Sequence, residues 1–216
     1  MKYILGNWKA NKNFTEMKQW IYTFMREYHP QQDVVVGVFP PMPFVSYAQG
    51  KLKDCKNVFV GAQTISSFEK GSFTGDVTAT TLEGVVGYSI IGHSERRKIF
   101  GETDAQLADK VAQALAHGIT PIYCVRDEHD PIPQGVKIVA YEPVAAIGTG
   151  QNEPPEQTVA MKKKMNLPKD GIFIYGGSVT EKNAGEYFAT GEIDGFLIGK
   201  ASLDPKQFIE IARTAQ

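Results

Sequence analysis

Short runs of β-branched and aromatic residues alternate with helix-patterned stretches from one end of the chain to the other. Residues 3–8 predict a strand. Met17, Trp20, Ile21, Phe24, Met25 and Tyr28 then recur at the i, i+3, i+4, i+7 spacing of one helix face. Residues 33–39 are a nearly continuous apolar run, expected of a strand buried on both faces. A helical piece over 44–52 leads to a third strand at 58–62. A long polar loop (63–78) and a short helix precede a fourth strand at 88–92. Thr103 and Gln106 carry a capping-box signature, with Leu107, Val111 and Leu115 on the apolar face of the helix it opens. Four further strands fall at 119–124, 136–141, 172–175 and 193–198, with helical patterns at 155–165 and 180–190. Asp204 and Pro205 supply a cap and first-turn pair for a last helix.

Eight strands with helices between nearly all of them require parallel pairing, because parallel neighbours can be joined only by crossovers. The pattern therefore predicts an α/β fold, a (β/α)8 barrel forming one domain over 1–216. A doubly wound open sheet also accommodates the alternation, but no G-x-G-x-x-G turn follows the first strand. One crossover is anomalous. Only eleven residues separate Cys124 from Val136, and Pro131 and Pro133 lie among them. Two prolines two apart forbid a regular helix. The helix between the fifth and sixth strands is expected to be missing, replaced by a loop, with no helix over 131–134.

Composition narrows the partners. With 216 residues, 42% hydrophobic and 22% charged, the chain can bury a sizeable core. A net charge of −1 without a long run of either sign argues against nucleic acid or anionic membrane as partners. Cys55 and Cys124 form neither a disulfide framework nor a metal-ligand spacing, and no metal or cofactor is expected. The N-terminus turns polar too early for a signal peptide, and no apolar run would span a bilayer. A cytoplasmic protein is the expectation.

Barrel sites gather at the C-terminal ends of the strands. Those ends carry Asn7-Trp8-Lys9, Gly92-His93-Ser94-Glu95, Glu142, Gly176-Gly177-Ser178 and Gly199-Lys200. Glu142 stands where the sixth strand passes through Pro143 into a loop bearing Gly148 and Gly150. A carboxylate held there by the sheet can abstract a proton from a molecule lying over the strand end. Singly, each residue has an ordinary use: a solvated lysine, a hydrogen-bonded histidine, a capping carboxylate, turn-forming glycines. Jointly, a cation, an imidazole, a carboxylate and glycine turns at one mouth suit an anionic substrate undergoing proton transfer.

These motifs resemble those of triosephosphate isomerase. The likeness is carried by Asn7-Trp-Lys9, by Ile91-Gly-His-Ser-Glu-Arg-Arg97, by Tyr141-Glu-Pro-Val with Ala146-Ile-Gly-Thr-Gly150, and by Tyr175-Gly-Gly-Ser-Val179. It runs on to Ala201-Ser-Leu203, essentially the whole chain. The resemblance implies a TIM barrel that interconverts dihydroxyacetone phosphate and D-glyceraldehyde 3-phosphate. A phosphate-binding barrel without turnover, serving as a scaffold, is the alternative. The resemblance also implies that Glu142 is the base and that His93 is a neutral electrophile. Lys9 would hold substrate charge, Asn7 a substrate oxygen, and the backbone N–H groups at Gly148, Ser178, Gly199 and Lys200 the phosphate. Glu95 is a supporting residue that pairs with Lys9 or Arg96, and Tyr175 a supporting hydroxyl for the loop after Glu142. The loop 71–75, from Gly71 to Gly75, corresponds to one that reaches beside the partner's Lys9, with Arg96 and Glu102 as buttresses, so a homodimer is implied. Departures from the family pattern are Ala145 for tryptophan, Lys200 for glycine, Asp76 for glutamate and Arg126-Asp127 for a Gly-Glu pair.

Overall fold

The structure, a computed structural model, describes residues 1–143 and 152–215. Its strands are β1 (Lys2–Asn7), β2 (Val34–Phe39), β3 (Val58–Val60), β4 (Tyr88–Ile91), β5 (Thr120–Val125), β6 (Ile138–Tyr141), β7 (Ile172–Tyr175) and β8 (Gly195–Ile198). The helices among the described residues are α1 (Phe14–Glu27), α2 (Val45–Leu52), α3 (Ala79–Leu82), α4 (Ser94–Phe100), α5 (Asp104–Ala116), α6 (Pro155–Lys164), α7 (Ala184–Ala189) and α8 (Pro205–Arg213). All strand pairs are parallel, in the order β3-β2-β1-β8-β7-β6-β5-β4. A parallel bridge between Ala62 and Ser89 closes the ring, through Ala62 N–H to the Tyr88 carbonyl (3.0 Å) and Ile90 N–H to the Ala62 carbonyl (2.9 Å). The result is the (β/α)8 barrel that the alternation predicts. No helix among the described residues is long and apolar enough to cross a membrane.

Side chains alternate between the faces of a strand, so one set fills the barrel and the other meets the helices. The inner set includes Leu5, Ile90, Ile122, Cys124, Ile138, Ala140, Ile174 and Leu197, all buried. Gly61 faces the Phe39 ring, where a Cβ would come within 2.2 Å of a ring carbon. Only a glycine lets that ring occupy the interior. The outer layer is larger and aromatic. Trp20 stacks on Phe24 at 4.9 Å, Phe24 on Tyr28 at 4.7 Å, and the Trp20 indole N–H donates to the Ser202 carbonyl at 3.0 Å.

The periodicity places two residues wrongly. Met25 and Leu115 are 46% and 42% exposed, because each lies at the margin of its helix's apolar stripe. The buried face of α5 is Leu107, Lys110, Val111 and Ala114. Its capping box forms as expected, with Thr103 accepting from Gln106 N–H. Periodicity also passes over α4, which is too short for an apolar stripe and follows β4 directly.

Between β5 and β6 no helix forms, as the two prolines require. The crossover is a tight loop organised by Asp130. Its carboxylate accepts from the Arg126 backbone N–H (2.7 Å), from Nε (3.0 Å) and from Nη2 (2.6 Å). Burial alone would raise the Asp130 pKa, but the bonds from Arg126 outweigh it and hold the carboxyl below its ordinary value. Ile132 packs against the outer core and Val136 is buried, so the loop covers the staves that a helix would otherwise cover.

Asp130→Asn should therefore lower Tm near neutral pH by about 3–8 °C, the equivalent of about 1–2 kcal/mol at this chain length. A depressed folded-state pKa contributes stability that is present above the unfolded value of about 4 and lost as pH falls through the folded one. Calorimetry of wild type and variant should show the gap closing as the pH drops. A gap undiminished at about pH 2 would refute the assignment.

Candidate active site

Strand alternation itself delivers the candidate residues to one mouth. Asn7 continues the inward series of Tyr3 and Leu5, Glu142 that of Ile138 and Ala140, and Gly176 that of Ile172 and Ile174. Gly199 continues Gly195 and Leu197 on β8. Each is the first inward position at or just beyond the C-terminal end of its strand, where the packed interior stops.

Glu142 is 1% exposed. Its Oε2 accepts from Ser94 N–H at 2.8 Å, and its Oε1 lies 3.2 Å from His93 Nε2. The imidazole is close but off the hydrogen-bonding axis, so among the described residues no donor satisfies Oε1. A buried carboxylate oxygen without a donor is costly unless something else uses it. Behind it lies the buried Cys124 thiol, whose pKa is pushed well up by burial and then by the Glu142 charge. It stays an uncharged packing group.

His93 is the N-cap of α4, and its Nδ1 accepts from Glu95 N–H at 3.2 Å. An accepting Nδ1 carries no proton, which leaves the proton on Nε2, the nitrogen facing Glu142. The tautomer is assigned from this donor pattern.

Lys9 sits in the left-handed region (φ 51°), where a non-glycine residue is uncommon. Its N–H donates to Asn7 Oδ1 at 3.0 Å, and its carbonyl accepts from Gln63 Nε2 at 2.9 Å. The same amide group of Gln63 bonds the Phe39 carbonyl at 2.9 Å. The Lys9 ammonium pairs with Glu95 at 2.6 Å, which selects Lys9 over Arg96 as the partner of Glu95. Arg96 pairs instead with Glu102, which also takes the buried Lys110 at 2.5 Å. The lysine stem runs along the turn after β8, since a Cβ on Gly199 would lie 3.5 Å from Lys9 Cε.

The structure thus brings Asn7, Lys9, His93, Glu95, Glu142 and Gly199 together. Lys200 follows Gly199 as the exposed first residue of a short 3-10 turn, Lys200–Leu203. The Ser178 carbonyl accepts from Asn183 Nδ2 at 3.0 Å, at the start of the segment before α7. Tyr175 is buried, and its hydroxyl accepts from Glu153 N–H at 2.9 Å, beyond the loop after Glu142. Gly148 and Ala145 lie outside the described residues. Two contributors escape the sequence reading. Ser94 holds the carboxylate through a backbone N–H, which no side-chain pattern signals. Gln63 is a polar residue in a polar loop, and only its two carbonyl partners set it apart.

Fold and site together define a (β/α)8 barrel with a carboxylate–imidazole pair and a lysine at its C-terminal mouth. The sequence profile described as triosephosphate isomerase matches residues 2–215. Curated proteins named triosephosphate isomerase are similar along the whole chain. That of Alcanivorax borkumensis is 38% identical, covering 99% of this chain and 98% of its own. Those of Thermus thermophilus and Aquifex aeolicus are each 35% identical, covering 98% and 97% of this chain and 98% of their own. The chain belongs to the triosephosphate isomerase family.

The geometry makes Gly176 a sensitive position. A Cβ there would stand 2.8 Å from Glu142 Cγ and 3.2 Å from the Tyr141 carbonyl. Gly176→Ala should displace the carboxylate and lower kcat by up to about 10²-fold, the cost of a misplacement near 1 Å, with an unchanged far-UV circular dichroism spectrum. Unaltered turnover would show that Glu142 is not held as described.

Proposed function

We propose that the chain interconverts dihydroxyacetone phosphate and D-glyceraldehyde 3-phosphate by proton transfer through an enediolate. The observation that carries this reading is the Glu142–His93 contact at 3.2 Å, with one carboxylate oxygen lacking a donor. Glu142 takes the proton from C1 of the ketose, and electrons move into the carbonyl oxygen. His93 supplies the Nε2–H that stabilises the charge growing on that oxygen. The C1 hydroxyl proton passes to the C2 oxygen by way of His93 Nε2, and the protonated Glu142 then returns its proton to C2, leaving the aldehyde at C1. This family is itself a standard example of an imidazole kept neutral by a helix N-terminus.

Lys9 supplies positive charge for the anionic substrate, and Asn7, which holds the Lys9 backbone, contacts a substrate oxygen. Backbone N–H groups at Gly148, Ser178, Gly199 and Lys200 would cradle the phosphate, with the Lys9 stem beside Gly199 in support. Glu95 orients Lys9, and Tyr175 anchors the chain just past the loop. Hydrogen moves within one molecule, so no cofactor is required. A scaffold without turnover would have no use for a buried carboxylate beside a proton-bearing imidazole. We read 1–216 as one domain acting in the cytoplasm.

The same reading includes a homodimer. Phe68 and Phe73 stack face to face at 3.8 Å while remaining 47% and 38% exposed, on the loop that carries Gly71 and Gly75. Such an aromatic pair favours burial against a second copy. Sedimentation should give twice the 23.8 kDa protomer mass, and Phe73→Asp should shift the protein toward the monomer. A wild type that sediments as a monomer at micromolar concentration would exclude the dimer.

A coupled assay with D-glyceraldehyde 3-phosphate tests the activity. Glu142→Gln should lower kcat by about 10³-fold or more, within the range lost with a general base, and leave KM within a few-fold. Equal turnover by wild type and Glu142→Gln would exclude the isomerase.

A further inference from the structure

We propose that Glu153 is a positioning residue for this reaction, its carboxylate holding the Tyr141 hydroxyl and thereby fixing the strand end that carries Glu142. The proposal rests on the isomerase reading above. Tyr141 is the last residue of β6 and is buried, its ring flanked by Phe173 at 6.3 Å and Tyr175 at 6.4 Å. Its hydroxyl donates to Glu153 Oε2 at 3.1 Å. The other carboxylate oxygen accepts from the Thr158 hydroxyl of α6 at 3.2 Å. Burial first, and the Glu153 charge second, push the Tyr141 phenol well above its ordinary pKa, so it stays a donor.

The backbone of Glu153 is anchored separately. Its N–H donates to the Tyr175 hydroxyl of β7 at 2.9 Å, and its carbonyl accepts from the Tyr187 hydroxyl of α7. Tyr187 in turn stacks on Tyr175 at 4.7 Å and accepts from Asn152 Nδ2 at 3.1 Å. These contacts hold the main chain whatever side chain stands at 153. They make the carboxylate a fixed abutment for Tyr141.

The link to the chemistry is leverage across one strand. Tyr141 and Glu142 are consecutive, so their side chains leave the sheet on opposite faces, the phenol outward and the carboxylate inward. The backbone between them is pinned by Gly176 N–H to the Tyr141 carbonyl (2.7 Å) and by Glu142 N–H to the Val125 carbonyl (2.8 Å). These bonds, one on each edge, fix the strand's height and overall orientation and leave the small tilt of its last peptide to the side-chain contacts on either face. A held phenol on one face limits that tilt, and with it the displacement of Glu142 on the other. No pairing of Tyr141 with Glu153 follows from spacing, because they stand twelve positions apart with a loop between them.

Steady-state kinetics with D-glyceraldehyde 3-phosphate on wild type, Glu153→Ala, Glu153→Gln, Tyr141→Phe and the double variant Glu153→Ala/Tyr141→Phe test this. Glu153→Ala and Tyr141→Phe should each lower kcat by about 10-fold, less than the ~10²-fold of a full 1 Å misplacement, with KM within about twofold. The double variant should match the single ones, because both remove the same bond. Glu153→Gln should recover at least half of the lost activity, since its amide oxygen still accepts from Tyr141. Unchanged kcat, additive losses, or an effect confined to KM would overturn the proposal. If Glu153→Ala fails to fold by circular dichroism, Tyr141→Phe, which lacks one oxygen only, decides alone: full activity refutes. No turnover in the wild type would overturn the isomerase reading and this proposal together, whereas turnover indifferent to these substitutions overturns the proposal alone.

Discussion

A strand turns successive side chains to opposite faces, and eight parallel strands closed into a ring convert that alternation into layers. Below the mouth the inward positions are apolar and fill the barrel. At the mouth the same series continues with Asn7, Glu142, Gly176 and Gly199. The site is therefore the last layer of the core, built from residues that solvent reaches only from one side. Its placement depends on ring closure, for which Ala62 supplies two backbone hydrogen bonds to β4. A register slip of one residue in β6 would turn Glu142 outward and Tyr141 inward.

Placement alone does not set chemistry; the hydrogen bonds around each group do. His93 accepts from the first turn of α4, so its remaining proton is on Nε2, the nitrogen 3.2 Å from Glu142 Oε1. Glu142 is held by one oxygen and leaves the other without a donor. Lys9 is kept in an unfavourable backbone conformation by Asn7 and Gln63, bonds that fix its amide and carbonyl. Such strain persists where the surroundings over-determine it, and it concentrates at functional sites. The strained lysine and the under-satisfied carboxylate face one mouth, as the proposed proton transfer between two carbons of an anion requires.

The shortened β5–β6 crossover shows what the fold can lose. A helix normally seals that flank of a barrel, and here a proline-containing loop braced by Arg126 and Asp130 does so. Neither β5 nor β6 is displaced from the ring, and their pairing is continuous from Ile122–Ile138 to Val125–Tyr141. The phenols on the outer face of β6 and β7 both find a hydrogen-bond partner in Glu153, which the shortened crossover does not supply. The crossover can therefore shrink without removing these bonds.

The order of the strands, most of the helices, the missing helix and the strand-end residues are legible in the sequence, because each follows from local rules. Alternation marks a strand, two prolines forbid a helix, and the site residues stand within a few positions of recognisable strand ends. The margins of the helix stripes, at Met25 and Leu115, were beyond those rules, since neighbouring elements decide which flank is covered. So were the pairing of Lys9 with Glu95, the grip of Ser94 on Glu142, the brace of Gln63 and the clamp between Tyr141 and Glu153. Each joins residues far apart in the chain or uses a backbone N–H that every residue possesses. The sequence by itself determined which chemical groups this protein carries and on which strand each arrives. Only the closed barrel decided which of them touch, because contact between the tips of different strands depends on how all eight are wound into one ring.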